Sequence, residues 1–312
     1  MRLYTRSECL DHPSPPGFPE RPERLTAILE HLGGVPGAEV LDQAPQASPR
    51  DLAAEVHDPA YLTRFERAVA RGDGLLDTAD NPVGAGSWRG AWAALEGTLA
   101  ATEWVAAGPN RRALAVVRPP GHHAERASAM GFCFLNNAAI AAHALRTRHG
   151  RERVAIFDFD VHHGNGTQHV FEQRPDIFYA SVHQYPFYPG TGAAGERGIG
   201  GGAGATANFP LPAGSDDAVY HRVLVEEVIP ALSAFRPDAL VVSAGFDAWR
   251  SDPLGGMRVT ESGFREWGTT LGQFAARWTD GSLVAVLEGG YDRGALPRLV
   301  EAFLEGLYVG IA

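Results

Sequence analysis

Residues 154–162 read Val-Ala-Ile-Phe-Asp-Phe-Asp-Val-His, an apolar run that ends in alternating polar and apolar side chains. A nearly all-apolar run of this length is typical of a strand that helices cover on both faces. A period of two places Asp158, Asp160 and His162 on one face of the chain. The stretch therefore predicts a buried parallel strand whose carboxyl end carries polar groups.

Four further apolar runs of similar length lie at 113–117, 177–182, 239–243 and 283–287. Segments with helical periodicity separate or follow them, around 88–99 and at 133–148, 216–235, 262–278 and 294–307. Strands that alternate with helices predict an α/β fold with a parallel sheet. Since no internal repeat or long polar linker divides the chain, we expect one domain over residues 1–312.

Composition excludes several classes of function. The formal charge of −10 disfavours a nucleic-acid partner, because binding to phosphates needs concentrated positive charge. No stretch approaches the ~20 apolar residues of a membrane span. The N-terminus has no apolar signal segment, and Cys9 and Cys133 are the only cysteines. We therefore expect a cytoplasmic protein without a membrane partner, of open oligomeric state.

The segments that follow the predicted strands are rich in Gly, His, Asp and Tyr. They read RPPGHH, FDVHHGNGTQ, HQYPFYPGTG, GFDAWRSDPLGG and EGGYD. In open α/β sheets, ligands bind beyond the carboxyl ends of the strands. These five segments therefore predict one site at a single edge of the sheet.

Aspartates at the end of a buried strand are costly unless they are paired or bind a metal. The alternative is a strand that leaves the sheet with solvated carboxylates. Asp247, at the end of a later apolar run, is a third candidate carboxylate. Two carboxylates and one imidazole leave a coordination position open, as in catalytic zinc sites. Zinc suits such a ligand set, and two oxygen ligands also keep Fe²⁺ as a candidate.

Acid–base groups surround this candidate metal site. His122 and His123 follow a rigid Arg-Pro-Pro-Gly turn, and an adjacent imidazole pair suits general acid–base catalysis. Tyr291, in the segment EGGYD, either packs or donates its phenol to a developing oxyanion.

The chain resembles the histone deacetylase family, in particular its class II-like bacterial branch, from about residue 12 to residue 307. The matching motifs are Arg118-Pro-Pro-Gly-His-His123, Gly131-Phe-Cys-Phe-Leu-Asn-Asn137, Asp158-Phe-Asp-Val-His-His-Gly-Asn-Gly-Thr-Gln168, Ser243-Ala-Gly-Phe-Asp247 and Leu287-Glu-Gly-Gly-Tyr291. The resemblance implies the arginase–deacetylase fold, an eight-stranded parallel sheet with helices on both faces. It also implies Zn²⁺ held by Asp160, His162 and Asp247.

The same resemblance assigns roles around the metal. It pairs Asp158 with His122 and Asn165 with His123, which would act as the general acid–base while His122 acts electrostatically. It assigns to Tyr291 the stabilisation of the oxyanion, together with the metal. A structural K⁺ is implied at carbonyl and carboxylate oxygens of Asp158, Asp160, His162, Ser181 and Val182.

For the substrate, the resemblance implies a tunnel with Gly131 and Phe132 along one wall. The segment 185–189 is shorter than in the family and offers Tyr188 as the opposite wall, which leaves the tunnel width open. Asp80 either anchors the substrate backbone or is a solvated loop residue. Leu254 falls where polyamine-selective relatives place a glutamate at the entrance.

Three functions remain open at this point. The first is hydrolysis of acetyl- or acyl-lysine in proteins or peptides, which Leu254 and Val161 favour, because polyamine enzymes of the family often have tyrosine in place of Val161. The second is hydrolysis of acetylated polyamines or another small amide. The third is a catalytically silent module that binds acyl groups.

Overall fold

A computed structural model describes residues 1–309 of the chain. The described residues form ten strands: β1 (Arg2–Thr5), β2 (Glu39–Asp42), β3 (Leu75–Leu76), β4 (Thr78–Pro82), β5 (Arg112–Ala115), β6 (Val154–Asp158), β7 (Ile177–Gln184), β8 (Thr206–Leu211), β9 (Ala239–Ala244) and β10 (Leu283–Leu287). They also form ten α-helices: α1 (Pro22–Gly33), α2 (Pro49–Val56), α3 (Pro59–Arg71), α4 (Ser87–Ala106), α5 (Asn137–Arg148), α6 (Asn165–Phe171), α7 (Asp217–Val223), α8 (Ile229–Phe235), α9 (Glu261–Trp278) and α10 (Leu296–Leu307).

Eight strands form one sheet in the order β2-β1-β5-β10-β9-β6-β7-β8, and every neighbouring pair is parallel. Every residue of β5, β6, β7, β9 and β10 is buried. The helices pack in two groups, α4 with α2, α3 and α5, and α10 with α1 and α9. The predicted eight-stranded parallel sheet is confirmed, and burial of the central strands follows from helices on both faces.

Register explains why the polar segments meet. Asp158, the last residue of β6, lies beside Ser181 of β7 and Ser243 of β9. Ser243 in turn lies beside Val286 of β10. Because all of these strands run in the same direction, the segments after them leave the sheet at one edge.

The helices differ from the prediction in two places. α5 begins at Asn137 rather than at 133, because Asn136 caps it: its Oδ1 accepts a hydrogen bond from the amide of Ala139 over 3.0 Å. The predicted helix over 216–235 is divided into α7, a π-helical turn at Leu224–Val228, and α8. Pro230 lacks an N–H to continue an α-helical ladder, which explains the irregularity before it.

Residues 1–309 contain no helix of the length and apolar character that crossing a membrane requires.

Candidate active site

Asp160 and His162 lie in the turn after β6, and Asp247 lies in the segment after β9. One potential ligand atom from each of the three lies within 4.8 Å of the others. Nδ1 of His162 is 3.1 Å from Oδ1 of Asp160 and 3.2 Å from Oδ2 of Asp247. The structure therefore brings the three predicted metal ligands to one point.

The carboxylate oxygens at this point are only partly satisfied. Oδ1 of Asp247 accepts a hydrogen bond from the amide of Val161 over 2.8 Å, and Oδ2 of Asp160 accepts one from the amide of Gly289 over 2.7 Å. Oδ2 of Asp247 is buried and accepts no hydrogen bond from the described residues, although His162 lies close to it. Burial and the charge of Asp160 raise the pKa of Asp247 to about 6. A buried carboxylate oxygen that accepts no hydrogen bond, beside a second carboxylate and an imidazole, fits a divalent cation.

Two glycines allow the chain to approach these carboxylates. A Cβ at Gly289 would lie 2.1 Å from Oδ2 of Asp247, and a Cβ at Gly245 would lie 2.1 Å from Oδ2 of Asp160. Any side chain at either position would therefore displace a candidate metal ligand.

Strand β6 ends at Asp158, as the apolar run 154–158 predicts, and the alternating pattern continues into the turn that follows. The apolar positions of the pattern are all buried, and Phe159 packs against Phe246, Trp267 and Phe303 below the site. Asp158 is not one of the three clustered ligands: its Oδ2 is 3.0 Å from Nδ1 of His122 and accepts a hydrogen bond from the Tyr179 hydroxyl over 3.1 Å. The alternating pattern therefore distinguishes polar from apolar side chains correctly. The polar side chains form two groups, however: Asp160 and His162 at the candidate metal site, and Asp158 beside His122.

The tandem histidines lie beside the candidate metal site with distinct partners. Nδ1 of His123 is 2.7 Å from Oδ1 of Asn165, and the rings of His122 and His123 are 4.0 Å apart. Burial lowers the pKa of His122, but the charges of Asp160 and Asp158 outweigh it and raise the value to about 10. Burial, followed by the charges of His122 and His162, lowers the pKa of His123 well below its ordinary value. These shifts favour the charged form of His122 and the neutral form of His123.

The histidine turn is held by a carboxylate to which the sequence analysis assigned no role, Glu288. Oε2 of Glu288 is fully buried and accepts hydrogen bonds from the amides of Gly121 and His122, over 2.7 and 3.1 Å. The signal was present, since a glutamate that directly follows the apolar run 283–287 is as costly to bury as Asp158.

A cavity of about 250 Å³ opens beside the three candidate ligands. It is lined by Asp80, His123, Gly131, Phe132, His162, Phe187, Tyr188, Leu254 and Tyr291. Every residue predicted to bind substrate is among them. Phe187 was not predicted, and its ring stacks on that of His162 at 5.3 Å.

Tyr188 and Asp80 contact each other in this cavity. The Tyr188 hydroxyl donates a hydrogen bond to Oδ2 of Asp80 over 2.9 Å, and the amide of Gly131 donates to the same oxygen over 3.2 Å. The Tyr188 ring meets the His123 ring edge-on at 5.2 Å. Asp80 is thus part of the cavity wall rather than a freely solvated loop residue.

Tyr291 lines the same cavity as His123. The guanidinium of Arg24 lies 4.8 Å above its ring, and Phe132 packs against its edge at 5.8 Å. Arg24 also donates hydrogen bonds to the carbonyls of Gly290 and Glu288, over 2.7 and 2.6 Å. Burial raises the pKa of Tyr291 well above its ordinary value, so the phenol keeps its proton.

Comparison with known proteins matches residues 18–307 to the histone deacetylase domain model. The chain is 41% identical over 300 residues to the histone deacetylase-like amidohydrolase of Pseudomonas aeruginosa, which covers 95% of this chain and 78% of that one. It is 44% identical over 330 residues to the acetylpolyamine amidohydrolase of Burkholderia pseudomallei, covering 94% and 91%. A crystal structure of acetylpolyamine aminohydrolase from the latter organism superposes with a TM-score of 0.88 at 35% identity, covering 99% of both chains.

Proposed function

This chain belongs to the histone deacetylase family, and from that premise we propose that it is a zinc-dependent deacylase of acetyl- or acyl-lysine in proteins or peptides. The family accounts for the hydrolysis of an amide. The proposal goes beyond the family in two respects: the metal is zinc, and the substrate is an acylated lysine. The observation that carries it is the buried Oδ2 of Asp247, which accepts no hydrogen bond from the described residues and lies beside Asp160 and His162, at the cavity that His123 and Tyr291 also line.

Asp160, His162 and Asp247 would hold the zinc. Zinc in such a site polarises the acyl carbonyl and lowers the pKa of a water molecule. A structural K⁺ near Asp158, Ser181 and Val182 is part of the proposal, supported by the register that places Asp158 beside Ser181.

His123 supplies the base. Its lowered pKa leaves the ring neutral, and Asn165 fixes its orientation through Nδ1. Nε2 is then the nitrogen that takes a proton from the attacking water and returns it to the departing amine. His122, held as a cation by Asp158, contributes charge rather than proton transfer.

Tyr291 supplies a hydrogen bond to the oxyanion of the tetrahedral intermediate. Tyr291 lines the cavity together with His123, and its phenol remains protonated at neutral pH. A donor that is already in place stabilises the charge as it develops, without reorganisation.

Apolar cavity walls support acyl-lysine as the substrate. Phe132 and Phe187 suit the methylenes of a lysine side chain, and Leu254 adds an apolar surface. An acetylated polyamine is the second candidate, supported by the 44% identity to an acetylpolyamine amidohydrolase and by the Asp80 carboxylate in the cavity lining. For the location of the enzyme we propose the cytoplasm, because Cys9 and Cys133 are both free thiols, as is usual in a reducing compartment.

Metal analysis combined with an activity assay tests the proposal. Purified wild-type protein should contain one zinc per chain and hydrolyse an acetyl-lysine peptide, and Asp247→Ala should lose both. Asp51→Ala, at an exposed position in the first turn of α2, is the matched control and should lose neither. If Asp247→Ala retains all of its zinc, Asp247 is not a ligand of the metal.

A further inference from the structure

Asp252 is a buried carboxylate between two loops of the active site. It is 7% exposed and follows Asp247 in the segment that leads to Leu254. Its Oδ1 accepts a hydrogen bond from the amide of Leu254 over 2.9 Å. Its Oδ2 accepts one from the amide of Tyr291 over 2.6 Å and a longer one from Asp292 over 3.3 Å.

We propose that Asp252 is a positioning residue that fixes Tyr291 for stabilisation of the oxyanion and ties it to the loop of Leu254. The inference rests on the proposed function, because it assigns the Tyr291 phenol to the reaction. Asp252 does not line the cavity and therefore acts through the backbone of Tyr291 rather than on the substrate.

The geometry requires a carboxylate at this position. Three N–H groups converge on its two oxygens, so both oxygens act as acceptors. An asparagine of the same shape offers one acceptor and turns an NH₂ group towards a backbone N–H. Asp252→Asn therefore leaves either Leu254 or Tyr291 without an acceptor while it preserves volume.

The other supports of Tyr291 act on different atoms. Arg24 contacts the ring face and the carbonyls of Gly290 and Glu288, and Phe132 contacts the ring edge. The segment before Tyr291 therefore remains in place in Asp252→Asn, and the expected change is a shift of the Tyr291 backbone that displaces the phenol. A displacement of about 1 Å costs up to ~10²-fold in rate, so we expect kcat to fall roughly 10- to 100-fold with KM little changed.

A double-mutant cycle with Tyr291→Phe separates positioning from a general structural role. If Asp252 acts through the phenol, Asp252→Asn/Tyr291→Phe is as active as Tyr291→Phe alone, and each variant keeps its zinc. Asp292→Asn is the control, since Asp292 accepts hydrogen bonds from Trp249 and Ala295 in the same region but its side chain does not bind the amide of Tyr291. The fold-loss in kcat caused by Asp292→Asn should multiply with the fold-loss caused by Tyr291→Phe, because the two act independently. If the fold-loss caused by Asp252→Asn also multiplies with that of Tyr291→Phe, the inference is overturned.

Hydrogen exchange provides a readout that needs no turnover. The amide of Tyr291 should exchange faster in Asp252→Asn than in the wild type, while the amides of β6 remain unchanged. Unchanged exchange at Tyr291 overturns the inference.

If the wild type hydrolyses an acetylated polyamine but no acyl-lysine peptide, the substrate proposal fails and the cycle is run on the polyamine. If Asp252→Asn does not fold, Asp252→Glu, which keeps both acceptors but displaces them, takes its place in both measurements.

Discussion

Tyr291 is the residue with the most direct expected effect on catalysis. Tyr291→Phe removes the phenol hydroxyl while it keeps the ring contacts to Arg24 and Phe132. The loss of one oxyanion donor costs ~10²–10³ in kcat. Steady-state kinetics on an acetyl-lysine peptide should show that loss, with KM and zinc content close to those of the wild type. Turnover near the wild-type rate would exclude the hydroxyl from the reaction.

Leu254 is the residue with the sharpest expected effect on substrate choice. In Leu254→Glu the carboxylate gains an ion pair with the additional ammonium of an acetylated polyamine, worth about 1 kcal/mol at short range in water and more in a lower dielectric. We expect the ratio of kcat/KM for polyamine over peptide to rise about tenfold per 1.4 kcal/mol. Leu254→Gln, similar in size but neutral, should leave the ratio near that of the wild type. Equal losses on both substrates in Leu254→Glu would assign Leu254 to loop packing.

At the residue scale, much of the site could be predicted from the sequence because buried polar groups are costly. Asp160, His162, Asp247 and the histidine pair all follow apolar strands, and parallel strands end at one edge. Phe187 and Asp252 could not be predicted in this way. Phe187 lies in a segment whose turn geometry decides which ring enters the cavity, and the acceptor role of Asp252 depends on a contact between two loops 39 positions apart.

At the scale of elements, a buried ion pair joins the segment after β5 to the segment before α1. Arg118 donates hydrogen bonds to both carboxylate oxygens of Glu20, over 2.9 and 2.8 Å, and both side chains are fully buried. Burial alone would raise the pKa of Glu20, but the charges of Arg118 and Arg24 outweigh it and lower the value to about 2. The pair thus fixes the turn that carries His122 and His123.

Glu20→Gln leaves Arg118 and Arg24 buried without a countercharge, which costs about 3–5 kcal/mol of unfolding free energy. Since the pKa of Glu20 is lower in the folded chain, its stabilisation is present above the unfolded value of 4.5 and is lost as the pH falls towards about 2. Urea unfolding should show a steeper loss of stability over this window in the wild type than in Glu20→Gln. Glu66→Gln, on the exposed face of α3, should retain the wild-type slope, and an equal slope in Glu20→Gln would contradict the account.

Strand periodicity predicted the five central strands to within two residues at either end and missed the outer ones. β2 reads Glu-Val-Leu-Asp and is largely exposed at the sheet edge, so no apolar run marks it. β1 has only four residues. The limits of α5 and the division of α7 from α8 depend on Asn136 and Pro230, which a periodic pattern does not register.

At the scale of the whole molecule, the order of the strands in the sheet could not be predicted from hydrophobic periodicity. The order β2-β1-β5-β10-β9-β6-β7-β8 brings β10 between β5 and β9, although β10 is the last strand in the chain. This placement puts the Glu288–Tyr291 segment between the histidine turn and Asp247. The family resemblance, rather than composition or periodicity, supplied the eight-stranded sheet.

The most direct test of the central claim is kcat/KM of the zinc-loaded wild-type enzyme on an acetyl-lysine peptide and on N-acetylputrescine, measured side by side. We expect hydrolysis of both amides, with the higher kcat/KM on the peptide, and loss of both activities when a chelator removes the metal. A higher kcat/KM on N-acetylputrescine would contradict the assignment of acyl-lysine. Undiminished hydrolysis by metal-free protein would contradict the zinc-dependent mechanism itself.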